Sequence, residues 1–245
     1  PVLFPNENRW LSAGLAAAYL WDYAMAFWDL PIALGHTWSL GVEEKFYLLW
    51  PLLLPLVLRT RRPVAWLLTA FVVVTAWRYS VALTWNWKQA YFSFDTRMSG
   101  ILLGAIGAVA RFKVSRSTFA VACVAMVVST LVPSLPGMDQ TRAVTLTITL
   151  AELSSFVLVC YAAEHGRTRF LASAPMVYTG KLSYGIYLWH FPVVILLAPS
   201  QPTWIALGAT LVFSFTMAVA SLHLVETPIR KWRTRGSPVP GRVAA

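Results

Sequence analysis

Two adjacent carboxylates, Glu43 and Glu44, open the apolar run from Val42 to Leu58, in which Lys45 is the only other charge. An ionisable side chain at the centre of a membrane helix costs about 2.5–3.5 kcal/mol on insertion scales, so such a residue marks a functional site. The same pair also suits an interfacial first turn, where the macrodipole is positive and Ser39 is placed to cap. On a helix Glu43, Phe46, Tyr47 and Trp50 share one face, which sets the Tyr47 hydroxyl beside Glu43. Glu44 points elsewhere, and Lys45, Arg78, Arg97 and Arg142 are the cations open to it. His36, just ahead of the pair, is either a base beside these carboxylates or a solvent-exposed loop histidine. Arg97 follows Asp95 by two residues, where a guanidinium clamps a carboxylate, a phosphate or Glu43, or pairs locally with Asp95. His190 falls on one side of its helix with Tyr187, as a site residue or as a structural histidine bonded to a neighbour. A carboxylate that orients an imidazole, with a cation nearby, supports proton transfer at a hydroxyl; the same residue types in a membrane also mark ion and proton pathways. His223 and Glu152 stand alone in apolar runs, need a partner if they face inward, and fall in no motif.

The elements that must hold these residues are membrane helices. Hydrophobic residues make up 58% of the 245 positions and charged residues 12%, whereas soluble domains carry about 25% charged residues. We therefore expect an all-α fold, a polytopic transmembrane helical bundle of about seven or eight membrane helices. Its apolar runs are Leu11 to Trp28, Val42 to Leu58, Val64 to Leu83, Met98 to Ala110, Thr118 to Leu135, Ala143 to Ala163, Leu182 to Ala198 and Thr203 to Val225. The Met98 run is short against the roughly 17–25 residues of a span, so it reads as tilted, broken or partly re-entrant. Pro51 and Pro55 predict a bend in the Val42 helix. Trp and Tyr cluster as an interfacial aromatic belt. Cys123 and Cys160 have no metal-ligand spacing and read as small core residues, so no metal is expected. Residues 1–235 read as one membrane domain and residues 236–245 as a polar cytoplasmic tail.

Basic residues alternate between successive loops. One set holds Arg59, Arg61 and Arg62; then Arg111, Lys113 and Arg116; then Arg167, Arg169 and Lys181; then Arg230, Lys231, Arg233, Arg235 and Arg242. The opposite set holds only Lys88, Arg97 and Arg142. The positive-inside rule puts the first set in the cytoplasm, with the C-terminus, and the start of the Glu43 helix near the outer interface. The net charge of +10 is thus a matter of topology and of anionic headgroups, not of nucleic acid.

Four segments occur in order. They are His36-Thr37-Trp38-Ser39-Leu40-Gly41-Val42-Glu43-Glu44 continuing to Pro51, Tyr91 to Gly104 with Arg97 within it, Gly180 to Pro192 with Tyr184, Tyr187 and His190, and Val225-Glu226-Thr227-Pro228-Ile229-Arg230. Together they resemble the signature of the integral-membrane acyltransferase family three, whose members acylate cell-surface sugars. The resemblance implies a membrane O-acyltransferase, with acetyl-CoA or another acyl-CoA as donor, a hydroxyl of an extracytoplasmic or lipid-linked glycan as acceptor, and a bacterial inner membrane as its place. On that reading Glu43, Glu44 and His36 belong to the catalytic set, while Trp38, Ser39, Tyr47, Arg97, Tyr187 and His190 bind substrate. Pro1 to Asn8 lacks an initiator Met and reads as a loop of a longer protein. The resemblance places the family's proposed catalytic histidine and its acyl-CoA-contacting arginines upstream of Pro1, so residues 1–245 alone are expected to be inactive. Two further readings stand beside it: a transporter or acyl-group conduit, and a non-catalytic remnant whose helices bind a partner.

Overall fold

A computed structural model describes residues 9–28, 32–134, 137–165 and 170–235, and every described element is helical. Arg167, Arg169, Arg242 and the 236–245 tail lie outside the described residues, as do Pro1 to Asn8. The chain divides into two compact units, Pro1–Gly166 and Arg167–Ala245.

In the first unit the Leu11 to Trp28 run is not one helix. It breaks into α1 (Arg9–Ala17) and α2 (Trp21–Phe27), each too short to cross a bilayer. The break is at Tyr19, whose φ of 56° is left-handed. Lys45 holds that turn from α3 (Trp38–Leu58): its ammonium donates to the Tyr19 carbonyl at 2.6 Å and to the buried Asp22 carboxylate at 2.8 and 3.0 Å. Burial pushes the Asp22 carboxyl above the usual carboxylate range, and Lys45 pulls in the opposite direction. Gly41 allows the close approach of the two helices. A Cβ there would sit 2.7 Å from the Tyr19 carbonyl oxygen and 3.1 Å from Asp22 Oδ1. Gly41→Val should therefore cost about 1–3 kcal/mol, as overpacking does; an unchanged midpoint of thermal unfolding in detergent would refute this close-packed junction.

A 3-10 turn (Ile32–Thr37) leads into α3, which runs through Pro51 and Pro55. Then come α4 (Pro63–Thr84), α5 (Trp87–Phe92), α6 (Phe94–Arg97), α7 (Ser99–Ala110) and α8 (Arg116–Leu131). A one-turn α9 (Gln140–Arg142) passes through a π turn (Ala143–Thr147) into α10 (Ile148–His165) without interruption. Helix α7 packs against both α4 and α10, and α8 packs on α10. Apolar layers fill these junctions: Phe46, Val74 and Leu102 in one cluster, Leu67, Leu103 and Ile106 in the next.

The second unit pairs α11 (Ala174–Leu197) with α12 (Thr203–Ser221), which continues through a second π turn (Leu222–Glu226) into α13 (Thr227–Arg235). Gly185 packs on the Ala218 backbone so closely that a Cβ would lie 2.9 Å from the Ala218 Cα. The wide turn ends just before Thr227 and Pro228, whose missing N–H and bulky ring do not fit a regular α-turn.

Among the described residues, four helices are long and apolar enough to cross a membrane: Pro63–Thr84, Gln140–His165, Ala174–Leu197 and Thr203–Trp232. Helices α7 and α8 are apolar but shorter. Helix α3 has 21 residues, but Glu43, Glu44 and Lys45 lie within it and keep it out of that set. Of the expected seven or eight spans, four thus meet the length and composition of a crossing among the described residues.

Candidate functional site

The most demanding group in the first unit is Arg78, on α4, which is fully buried. A guanidinium there requires a carboxylate and further acceptors, which here reach both Nη atoms but not the buried Nε. Glu152 of α10 supplies the carboxylate in a fork: Arg78 Nη1 donates to Oε1 at 2.8 Å and Nη2 to Oε2 at 3.0 Å. Ser99, at the start of α7, accepts from Arg78 Nη1 at 2.9 Å and donates to Glu152 Oε1 at 2.8 Å. Thr149 accepts from Nη2 at 2.9 Å and lies 3.3 Å from the Tyr79 hydroxyl. One bidentate pair joins α4 to α10, and Ser99 ties α7 to it; a bidentate guanidinium–carboxylate pair is among the strong charged hydrogen bonds.

Arg97 adds a second cation to the same carboxylate. Its Nη1 lies 3.9 Å from Glu152 Oε1 and makes no hydrogen bond. Its guanidinium stacks 5.6 Å from the Trp38 ring centre and 5.3 Å from that of Tyr91, and Trp38 also packs on Tyr91 and Phe92. The local balance is two arginines to one glutamate. This centre therefore retains a positive charge beside an aromatic wall, and it can hold an anion or stabilise charge that develops on an oxygen.

These contacts correct several sequence expectations. None of the four cations open to Glu44 pairs with it. Lys45 binds Asp22, Arg78 and Arg97 face Glu152, and Arg142 pairs with Asp139. Asp95 does not pair with Arg97 either; it accepts the Trp77 indole N–H at 2.6 Å. Glu152, which falls in no motif, sits at the centre of the site. The signal available was two lone, opposite charges in separate apolar runs, each too costly to leave alone.

The other expected site residues are placed as follows. His36 is buried in the turn before α3, and Ser39 is half-buried. Glu43 and Tyr47 are exposed on α3 and Glu44 is half-buried; none of the three lines the cavity beside Arg97. Tyr187 and His190 belong to the second unit, where their rings lie 5.5 Å apart and the His190 Nδ1 is 2.6 Å from the Tyr187 carbonyl. Trp38 and Arg97, expected residues from the first and second signature segments, are brought into direct contact from separate helices.

The acyltransferase-domain family matches residues 6–225. The chain belongs to that family. Among its relatives are the O-acetyltransferase OatA of Staphylococcus aureus, 29% identical over 221 residues, covering 81% of this chain and 36% of the relative, and the peptidoglycan O-acetyltransferase OatA of Listeria monocytogenes, 30% identical over 227 residues, covering 82% and 36%. The chain thus spans about a third of the length of the curated relatives it matches. No solved structure matches it. Its family and its long apolar helices make this acyltransferase-family chain an integral membrane protein.

Proposed function

We propose that the chain is the membrane portion of an O-acetyltransferase that acylates a hydroxyl of an extracytoplasmic glycan, with a peptidoglycan-like or lipid-linked sugar as acceptor and an acyl-CoA as donor. The observation that carries this reading is the meeting of Trp38 and Arg97, which joins two signature segments of the family into one cationic, aromatic-walled site. The acyl donor supplies an activated carbonyl. Arg97 faces the oxygen on which charge gathers when the acceptor hydroxyl adds to it, and Arg78 with Glu152 holds Arg97 in place. Trp38 and Tyr91 offer flat faces to a sugar ring. Glu43, Glu44 and His36 act on the acceptor side, by orienting the hydroxyl and its proton. The alternating basic loops support an orientation with this site toward the outer half of a bacterial inner membrane and the C-terminus in the cytoplasm.

Mass spectrometry of envelope glycans tests the reading. Cells that express the complete gene should gain an acetyl increment on a glycan, and cells with Glu43→Ala should lose most of it. Glycans unchanged by expression of the wild-type gene would overturn the proposed activity.

A further inference from the structure

A cavity of about 850 Å³ runs between α7 and α10, from Arg97 and Glu152 at one end to Arg111, Lys113 and Glu164 at the other. Its wall is opened by glycines. A Cβ at Gly104 would meet nothing within 4 Å, whereas one at Gly107 would touch Phe156 at 3.1 Å. Gly104 and Val159 are exposed along its length, so the groove opens sideways. From Gly100 to Arg111 the helix rises about 16 Å, close to the depth of one leaflet's hydrocarbon, about 15 Å. Between its charged ends, the polar side chains of the lining are the Ser155 hydroxyl and the Cys160 thiol alone.

The mouth has the opposite character. Arg111 ends α7 in the left-handed region, with φ 49° and ψ 53°. Glycine suits that conformation and arginine does not, so strain is held at this position. Neither Arg111 nor Lys113 makes a salt bridge among the described residues, and both are exposed. Glu164, the acidic group at the mouth, is engaged by the Val114 backbone N–H, which donates to its Oε2 at 3.2 Å.

We infer that this groove binds an anionic phospholipid, with one acyl chain along Leu103, Gly104 and Val159 and the headgroup phosphate at Arg111 and Lys113. The lateral opening admits a chain from the bilayer. The nearly apolar lining suits hydrocarbon and leaves the amides of a pantetheine arm without partners. Basic pockets between membrane helices at the cytoplasmic face take acidic headgroups, and that placement uses the orientation proposed above.

Native mass spectrometry of the full chain, released from nanodiscs of phosphatidylcholine and phosphatidylglycerol, is the test. The wild type should retain phosphatidylglycerol in preference. Arg111→Gly with Lys113→Gln should weaken that binding by about 30-fold, taking about 1 kcal/mol for each basic residue at the surface. Arg111→Gly also relieves the left-handed strain, so a loss of lipid there is not a loss of fold. Gly104→Leu fills the groove and should expel both lipids. Equal retention of the two lipids by the wild type, wild-type retention in either variant, or displacement of the lipid by acyl-CoA would overturn the assignment. Lipid retention is read without acyl transfer, so its failure and that of the proposed activity are told apart.

Discussion

Glu152→Leu should be the most damaging single change in the first unit, at about 3–5 kcal/mol. The substitution leaves Arg78, fully buried, facing Arg97 with no carboxylate between them. Arg78→Met should cost less. It removes the fork but leaves Glu152 with Arg97, whose Nη1 is already 3.9 Å away and has no hydrogen bond of its own to break. Thermal unfolding of the two variants in the same detergent gives the order. A wild-type midpoint for Glu152→Leu, or a larger loss for Arg78→Met, would show that the two arginines do not share this carboxylate.

The largest effect on activity is expected at Arg97. In the complete enzyme Arg97→Ala should lower glycan O-acetylation by about 10²–10³-fold, the usual consequence of removing a donor aimed at a developing oxyanion. Arg97→Lys should recover little. An ammonium keeps the charge but loses the plane that lies against Trp38 and Tyr91, and a stacked arginine is not replaced by lysine. Initial rates on an isolated glycan acceptor, with expression levels matched, measure both variants. Activity within a few-fold of wild type in Arg97→Ala would remove Arg97 from the proposed chemistry.

The helices were largely legible in the sequence because apolar length and proline placement are local properties. The Val64 to Leu83 run became α4 with one residue added at each end. The Leu182 run extends back to Ala174, since Thr179 and Lys181 end the apolar stretch without breaking a helix. The break in the Leu11 run was not legible. It falls at a left-handed Tyr19, and no composition rule places that conformation at a tyrosine. The site was legible only in part. Trp38 and Arg97 stood out by type and position, but their contact depends on how α3 meets the α5–α6 corner. The partnership of Arg78 with Glu152 spans 74 positions of chain, beyond the reach of any helical period. Each charge was visible alone; the pairing is a product of tertiary packing. Lys45 shows the reverse error, since its nearest carboxylate in sequence is Glu44 and its partner in space is Asp22.

The π turn at Ala143–Thr147 gives this helix an uneven tolerance of changes in length. A π turn is an α-helix carrying one residue more than its turn requires. If that residue is deleted, the turn tightens to α geometry and the helix on either side keeps its register. The same deletion between Thr149 and Glu152 would swing the carboxylate about 100° around the axis, away from Arg78. Drift in chain length among descendants of this gene therefore has one sheltered place to occur in this helix, a turn upstream of the residues that Arg78 holds.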